Sequence, residues 1–357
     1  MRYFILCILL ATLCPASAAL PTESLSATAQ NGTRYRFPHI TGDSLAARNI
    51  NTWLQTVWLN KLPSRYSHVA FEDVWPQAAD SYTGLTQLNY SLLANEPGFL
   101  SVNLYGEYTF THPNEFSSSY SFDSRTGQPL QLTDLFTAQG LAWLEQQTLA
   151  QRSQRIRTVL AGLSAKTGGR SATEPTLATE QRNLYLRCLT ELEGASVKSD
   201  NLALDRKTLS LEHRHCGEHL DRTIDVLGDF ANRWTFAELH EHLSDYGRCL
   251  LVEARSDCQR APGTLTVGVW RGQIDARLPI TLVLQYLGPD GQTHGAYFYD
   301  KFARYIGLRG TREQDGSLLL NEDSTPLARM RLKRQGEGFA GSWAQDGKNK
   351  TLSVKLD

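Results

Sequence analysis

Phe99-Leu-Ser-Val-Asn-Leu-Tyr-Gly-Glu-Tyr-Thr-Phe110 alternates apolar and polar side chains, and Ser119-Tyr-Ser-Phe-Asp123 resumes the alternation nine residues later. A period of two puts successive side chains on opposite faces of a strand, so both stretches predict half-buried β-structure. On the N-terminal side Glu96-Pro97-Gly98 is a turn, and Leu85-Thr-Gln-Leu-Asn-Tyr-Ser-Leu92 beyond it alternates in the same way. Two alternating runs joined by a turn read as a hairpin. On the C-terminal side Asp123-Ser-Arg-Thr-Gly127 reads as a turn into a short strand ending at Leu135-Phe136. An antiparallel sheet therefore lies at the heart of this part of the chain.

Helical segments surround it. Ile50, Trp53, Leu54, Val57 and Trp58 recur at i, i+3, i+4, i+7 and i+8, one apolar helix stripe, with Asp43 as the expected cap and Pro63 beyond its end. From about Leu141 to Leu163 and from Glu180 to Leu192 the composition turns to Gln, Ala, Leu, Arg and Glu, which favour helix. Gly168-Gly-Arg-Ser-Ala-Thr173 between them reads as a loop. A strand is expected near Leu202–Leu211. A helix should open at Thr235, where Glu238 three residues on completes a capping box. Sheet and helices together predict an α+β domain over residues 19–257.

After Ala261-Pro262-Gly263 the texture changes. Short alternating segments recur: Thr264–Trp270, Ile280–Tyr286, Ala296–Tyr299, Tyr305–Arg309, Ser317–Glu322, Ala328–Lys333, Gly338–Trp343 and Leu352–Leu356. Turns such as Gly288-Pro-Asp-Gly291, Asp315-Gly316 and Asp346-Gly347 separate them. Eight short strands without a helix predict an all-β meander or small barrel over residues 264–357.

The chain has 357 residues, 41% hydrophobic and 20% charged, with a formal net charge of −1. That composition describes a folded protein of about two domains rather than a disordered one. The near-neutral balance gives no basic face with which to neutralise nucleic-acid phosphates. Neither a dinucleotide fingerprint, a phosphate loop, a nucleophile elbow nor a zinc-protease motif is present. Met1-Arg2, an apolar run from Tyr3 to Leu13, and Ala16-Ser17-Ala18 read as a secretory leader over residues 1–18, cleaved after Ala18. Later stretches are too short in apolar residues to span a membrane. Cleavage leaves Cys188, Cys216, Cys249 and Cys258, an even number that implies disulfides in an exported protein. Three pairings are open; proximity in sequence favours Cys188–Cys216 and Cys249–Cys258.

The run Leu100-Ser-Val-Asn-Leu-Tyr-Gly-Glu-Tyr-Thr-Phe-Thr-His112-Pro113, followed by Phe122-Asp-Ser-Arg-Thr-Gly127-Gln-Pro-Leu-Gln-Leu-Thr-Asp134-Leu-Phe136, resembles the extracytoplasmic RsiV/PdaC-type domain of lysozyme-sensing anti-sigma factors. That domain carries a Gly-Ala-His-Pro step and a Phe-Asp-x-x-Thr-Gly turn. Here Phe110-Thr111 stands where the small pair precedes His-Pro, and the family's lysozyme-contacting residues have no assignable counterparts. The resemblance covers about residues 40–255 and implies recognition of lysozyme-type hydrolases or peptidoglycan fragments in the cell envelope. Residues 264–357, with Gly268-x-Trp270-x-Gly272-x-Ile274, Gly295-x-Tyr297-x-Tyr299 and Phe339-x-Gly341-x-Trp343, resemble a barrel-like module of exported bacterial proteins. No activity is implied by it.

Three groups of residues are candidates for function. His112 ends a strand where its side chain can face a groove; the competing role for His112-Pro113 is turn formation. Trp270, Tyr297, Tyr299 and Trp343 either line a ligand cup or fill a barrel core. Five of the nine histidines fall between His213 and His242. His213 and His215 share a strand face and His240 follows from the capped helix, a set that suits zinc or copper if the three converge. The alternative is exposed polar residues flanking Cys216. The reading that results is an exported, non-enzymatic binding protein of the bacterial cell envelope that needs no cofactor. Its rivals are an envelope hydrolase or metalloprotein working through histidines 213–242, and a barrel that holds a small lipid.

Overall fold

A computed structural model describes residues 19–66, 68–76, 83–110, 112–166, 177–213, 216–217, 219–255, 257–288 and 290–357. The expected leader, the loop at Gly168–Thr173 and His215 lie outside them. Tyr35 and Phe37 are fully buried while Arg34 and Arg36 face solvent. This alternation forms an antiparallel hairpin, β1 (Thr22–Thr28) and β2 (Arg34–Ile40), which Pro38 and the short spans hide from pattern reading. Helix α1 (Leu45–Leu59) follows with the expected stripe inward. Its cap is Ser44, whose hydroxyl accepts from the Ala47 N–H at 3.1 Å, and not Asp43. It stops at Asn60, which adopts a left-handed conformation with φ 53°.

The quoted hairpin is β3 (Gly84–Asn95) and β4 (Phe99–Thr109), extended by β5 (Pro113–Asp123) into a three-stranded antiparallel sheet. Leu100 faces Phe122 across strands, and Val102 and Leu104 share its buried face. Ile50, Trp53 and Leu54 of α1 pack on that face, with the Trp53 and Phe122 ring centroids 5.6 Å apart. Full burial of each such side chain contributes about 1.5–3 kcal/mol, so α1 and the sheet hold each other.

The strand expected up to Phe136 is instead a helical turn, α2 (Leu132–Leu135). The Asp134 carboxylate accepts from the Gln131 N–H at 2.8 Å and coils the backbone there, so only single bridges at Pro129 and Phe136 remain of the strand. Long helices α3 (Ala138–Lys166) and α4 (Leu177–Leu192) come next, and Cys188 of α4 is bonded to Cys216. The expected strand at 202–211 is two strands, β6 (Asn201–Leu204) and β7 (Thr208–His213), paired with each other and then with β8 (Phe230–Thr235). Thr235 and Glu238 form the expected capping box at α5 (Phe236–Leu239), a single turn. Cys249 and Cys258, with Cα atoms 5.7 Å apart, close the second disulfide just before the segment that leads into the barrel.

Eight antiparallel strands make a closed barrel: β9 (Gly268–Ile274), β10 (Leu278–Leu287), β11 (Gln292–Tyr299), β12 (Tyr305–Arg312), β13 (Leu318–Glu322), β14 (Ala328–Gln335), β15 (Gly338–Gln345) and β16 (Thr351–Leu356). Each pairs with the next, and β16 returns to β9. Ile280, Leu282, Leu308, Leu320, Met330, Leu332 and Val354 fill the interior. The outer wall is also engaged. Val269 and Val283, cross-strand partners, are 3% and 0% exposed because they join the core beneath α1.

The barrel seam is short. β16 pairs with β9 only at Gly272, Gln273 and Ile274, and a further backbone pair joins Arg271 to Asp357. Beyond it the free edge of β9 is met by a side chain: the Gln128 amide donates to the Val269 carbonyl and accepts from the Val269 N–H, both at 2.9 Å. A Cβ on Gly268 would lie 2.1 Å from the Gln128 oxygen, so this docking requires glycine. Among the described residues no helix is long and apolar enough to cross a membrane.

Candidate functional site

The residues singled out by sequence do not gather in one place. His112 is exposed beside the β4–β5 turn, where Tyr108 and Phe110 are also 48% and 72% exposed. His213 ends β7 against Phe230, ring centroids 5.0 Å apart, and lies within 4.8 Å of the Cys188 and Cys216 sulfurs. Those sulfurs are bonded to each other, so of this trio only His213 offers a metal a ligand atom. His240 follows Thr235, which pairs with Thr208 at the far end of the same hairpin. Five residues of strand, about 16 Å at a rise near 3.3 Å, separate that end from His213. The convergence that a zinc or copper site needs is thus not formed by this pair. His240 is half-exposed, with Nδ1 2.8 Å from the Glu241 carboxylate, and His242 stacks on Trp143.

Inside the barrel, Tyr297, Tyr299 and Trp343 gather around one carboxylate. Glu322 accepts from the Tyr297 hydroxyl at 2.6 Å and from the Trp343 indole N–H at 2.7 Å, and Ser324 donates to its other oxygen at 3.0 Å. Burial, then the hydrogen bonds to Glu322 and Tyr299, push the Tyr297 pKa well up, so the phenol stays a donor. Tyr299 reaches the Tyr297 hydroxyl at 3.4 Å. Trp270 packs against Phe339 instead. Tyr297 is fully buried and Trp270 nearly so, both within the barrel core.

A cleft of about 540 Å³ opens where the barrel seam, the linker before it and α1 meet. That lies in the range of small-molecule sites. Its walls carry Arg125, Arg260, Arg271 and Arg334. The Asx turn at Asp123 shapes one side: the Asp123 carboxylate accepts from the N–H groups of Arg125 and Thr126 at 2.8 and 2.9 Å, and from the Tyr246 hydroxyl at 2.8 Å. Burial, offset in part by Arg260, raises the Tyr246 pKa. Gly127 closes this turn with φ 70°, and a Cβ there would meet the Ala46 carbonyl at 2.4 Å. The site therefore depends on the same Phe-Asp-x-x-Thr-Gly run that the sequence displays.

Arg260 lies over the Tyr246 ring, donates to the Pro129 carbonyl at 2.6 Å and stands 3.5 Å from the Asp134 carboxylate. Burial opposes its charge, but Asp134, Tyr246 and Asp123 outweigh that and raise its pKa. Asp134 is fully buried, and burial lifts its pKa against the pull of Arg260. Arg271 donates to the side-chain oxygens of Asn49 and Thr52, both neutral. Burial and the nearby Arg48 push its pKa down. Arg334 occupies the inward register of β14 one step beyond Leu332, over the Phe339 ring, and its carboxylate partner is the exposed Glu337 at 3.3 Å. The Nε of Arg260 and the Nε and Nη1 of Arg334 are buried without a hydrogen-bond partner. Such unmade bonds cost about 1–3 kcal/mol each, more on charged groups.

Sequence reasoning missed these arginines because they come from four distant segments. One signal was present: Ala328-x-Met330-x-Leu332-x-Arg334 places a cation in an inward register.

Solved structures similar to this chain include two of the DUF3298 family. One, from Bacteroides fragilis NCTC 9343, is 10% identical with a TM-score of 0.42, and the match covers 68% of this chain and 100% of that one. Another, from Pseudomonas aeruginosa PAO1, is 12% identical with a TM-score of 0.39, covering 64% and 97%. No family model matches the sequence, and no curated protein matches it.

Proposed function

We propose that this chain is an exported, non-catalytic binding protein of the bacterial cell envelope, and that the cleft at the barrel seam takes a peptidoglycan fragment. One observation carries the reading: residues of α1, of the Asp123 turn, of the linker and of the barrel converge on a single cleft of small-molecule size. The volume suits a sugar or a short peptide rather than the body of a hydrolase. The run from Leu100 to Phe136 resembles a lysozyme-sensing domain, and its turn builds one wall of the cleft. Export accords with the two disulfides, which persist in oxidising compartments.

Calorimetric titration of the mature protein with a muropeptide digest tests this, with a lysozyme-type hydrolase as the second titrant. Saturable binding without product, lost in Gln128→Ala, is expected. Binding of the hydrolase alone moves the site to a protein-docking face such as the exposed Tyr108 and Phe110 beside His112. Hydrolysis of the digest would overturn the non-catalytic reading. Mass spectrometry of exported protein should find Ala19 at the N-terminus.

A further inference from the structure

Charge in the cleft is unbalanced in a way that names the ligand's chemistry. Arg271 has only neutral acceptors, and among the described residues no carboxylate lies within ion-pair distance of it. Arg334 has one carboxylate partner, on an exposed side chain that is free to swing away. Arg260 shares its buried partner with a crowded network, and its charge repels that of Arg334. The acidic residues around the cleft offset this in part: Asp134 and Asp123 support the charge of Arg260 and Asp300 that of Arg271. Among the described residues none of these three carboxylates forms an ion pair with Arg271 or Arg334, and Asp123 already accepts from the N–H groups of Arg125 and Thr126 and from the Tyr246 hydroxyl. Guanidinium groups cannot shed their protons to relieve such crowding.

We propose that Arg260, Arg271 and Arg334 form an oxyanion-binding subsite of the cleft, which takes a carboxylate or phosphate group of the bound molecule. This rests on the cleft being the binding site. Arginine presents planar donors that match both oxyanions, and partial burial strengthens each contact. On binding, the oxyanion displaces Glu337 from Arg334 and supplies acceptors for donors that now have none. Recognition is then by charge and donor geometry, with the exposed Leu45 side chain offering apolar surface to the rest of the molecule.

Two sugars that differ by one lactyl ether, the group that carries the carboxylate, test the proposal: N-acetylmuramic acid and N-acetylglucosamine, with inorganic phosphate as a third probe. The acidic sugar should bind at least tenfold tighter than the neutral one, and its affinity should fall as salt rises. Arg271→Gln and Arg334→Gln should each lower that affinity tenfold or more, and Arg334→Lys should keep part of it. Phosphate should raise the melting temperature of the wild type and not of Arg334→Gln, a readout that needs no sugar and reports folding of the variant. If phosphate binds and displaces the muropeptide digest while the acidic sugar does not bind, the oxyanion is a phosphate; if the acidic sugar binds and phosphate does not compete with it, it is a carboxylate. Equal binding of both sugars overturns the oxyanion subsite and leaves the cleft reading intact. Muropeptide binding that is indifferent to salt and to both glutamine variants does the same. No binding of any probe or digest overturns both.

Discussion

Residues 264–357 build one sheet that closes on itself around one core, whereas residues 19–258 spread their apolar side chains over three clusters and three small sheets. Both disulfides fall in the second group and none in the first. The difference shows two ways to hold short strands. A barrel satisfies its backbone by closure. Sheets of two and three strands have open edges and are marginal unless something packs on them or ties them. Here α1 and the cysteines do so. The two regions meet at Val269, Val283 and Arg271, so whether they melt apart is a question of how strong that contact is against each internal bond set.

Reduction gives the largest test. Cross-links spanning 28 and 9 residues restrict the unfolded chain by about 3–4 and about 3 kcal/mol. Calorimetry with and without a thiol reductant should show the transition of residues 19–258 falling steeply while that of the barrel stays put. A single transition that moves as one would mean that the Val269–Val283 contact fuses both regions into one unit.

The barrel has its own weak point in Glu322. Glu322→Ala leaves the Trp343 indole N–H without an acceptor and the Tyr297 hydroxyl with the long contact to the Tyr299 oxygen at 3.4 Å, costing about 3 kcal/mol and lowering the barrel transition by about 12–24 °C. Glu322→Gln, which keeps an acceptor oxygen, should lose less. Thermal melts followed by tryptophan fluorescence distinguish them; equal losses would show that charge rather than hydrogen bonding holds the cluster.

A smaller effect is expected at Thr235, whose hydroxyl accepts from the Glu238 N–H at 3.2 Å. Thr235→Ala should cost about 1 kcal/mol and speed amide exchange across Phe236–Leu239, with the barrel amides unchanged.

The smallest effects reverse in sign between the regions. In the barrel, the Ser317 hydroxyl and backbone N–H hold Asp315 down to about 2, below the ordinary 3.8. Its folded pKa is depressed, so its contribution is full above pH 3.8 and fades as pH falls through about 2. In the other region, burial raises Asp200 in spite of Arg152 at 2.7 Å. A raised carboxylate contributes most below its ordinary pKa and loses that contribution as pH rises through the raised one. Melting temperatures of Asp315→Asn and Asp200→Asn against wild type across pH should therefore diverge in opposite directions. Parallel curves would contradict the assigned environments.

How far the sequence could be read followed the same divide. Eight barrel strands were legible because inward and outward residues alternate cleanly and glycine turns punctuate them. In the other region α1, β3, β4 and the Thr235 cap were legible for equally local reasons. Pattern failed where contacts at a distance decide: Asp134 coils a stretch whose alternation suggested a strand, and Tyr35 and Phe37 are buried by partners far along the chain. The candidate cleft was least legible. Arg125, Arg260, Arg271 and Arg334 are neighbours only after the barrel docks, and no spacing in sequence encodes that.

The seam carries a consequence for the order of synthesis. β9 is made first among the barrel strands and β16 last, so the edge of β9 stays open until the final stave arrives. An open edge is a template for pairing with other chains. Gln128 belongs to the part of the chain made earlier and bonds both backbone groups of Val269. Its two bonds therefore do not wait for the last strand: the Val269 end of that edge has a partner from an earlier segment, and the finished molecule keeps the contact as one wall of its cleft.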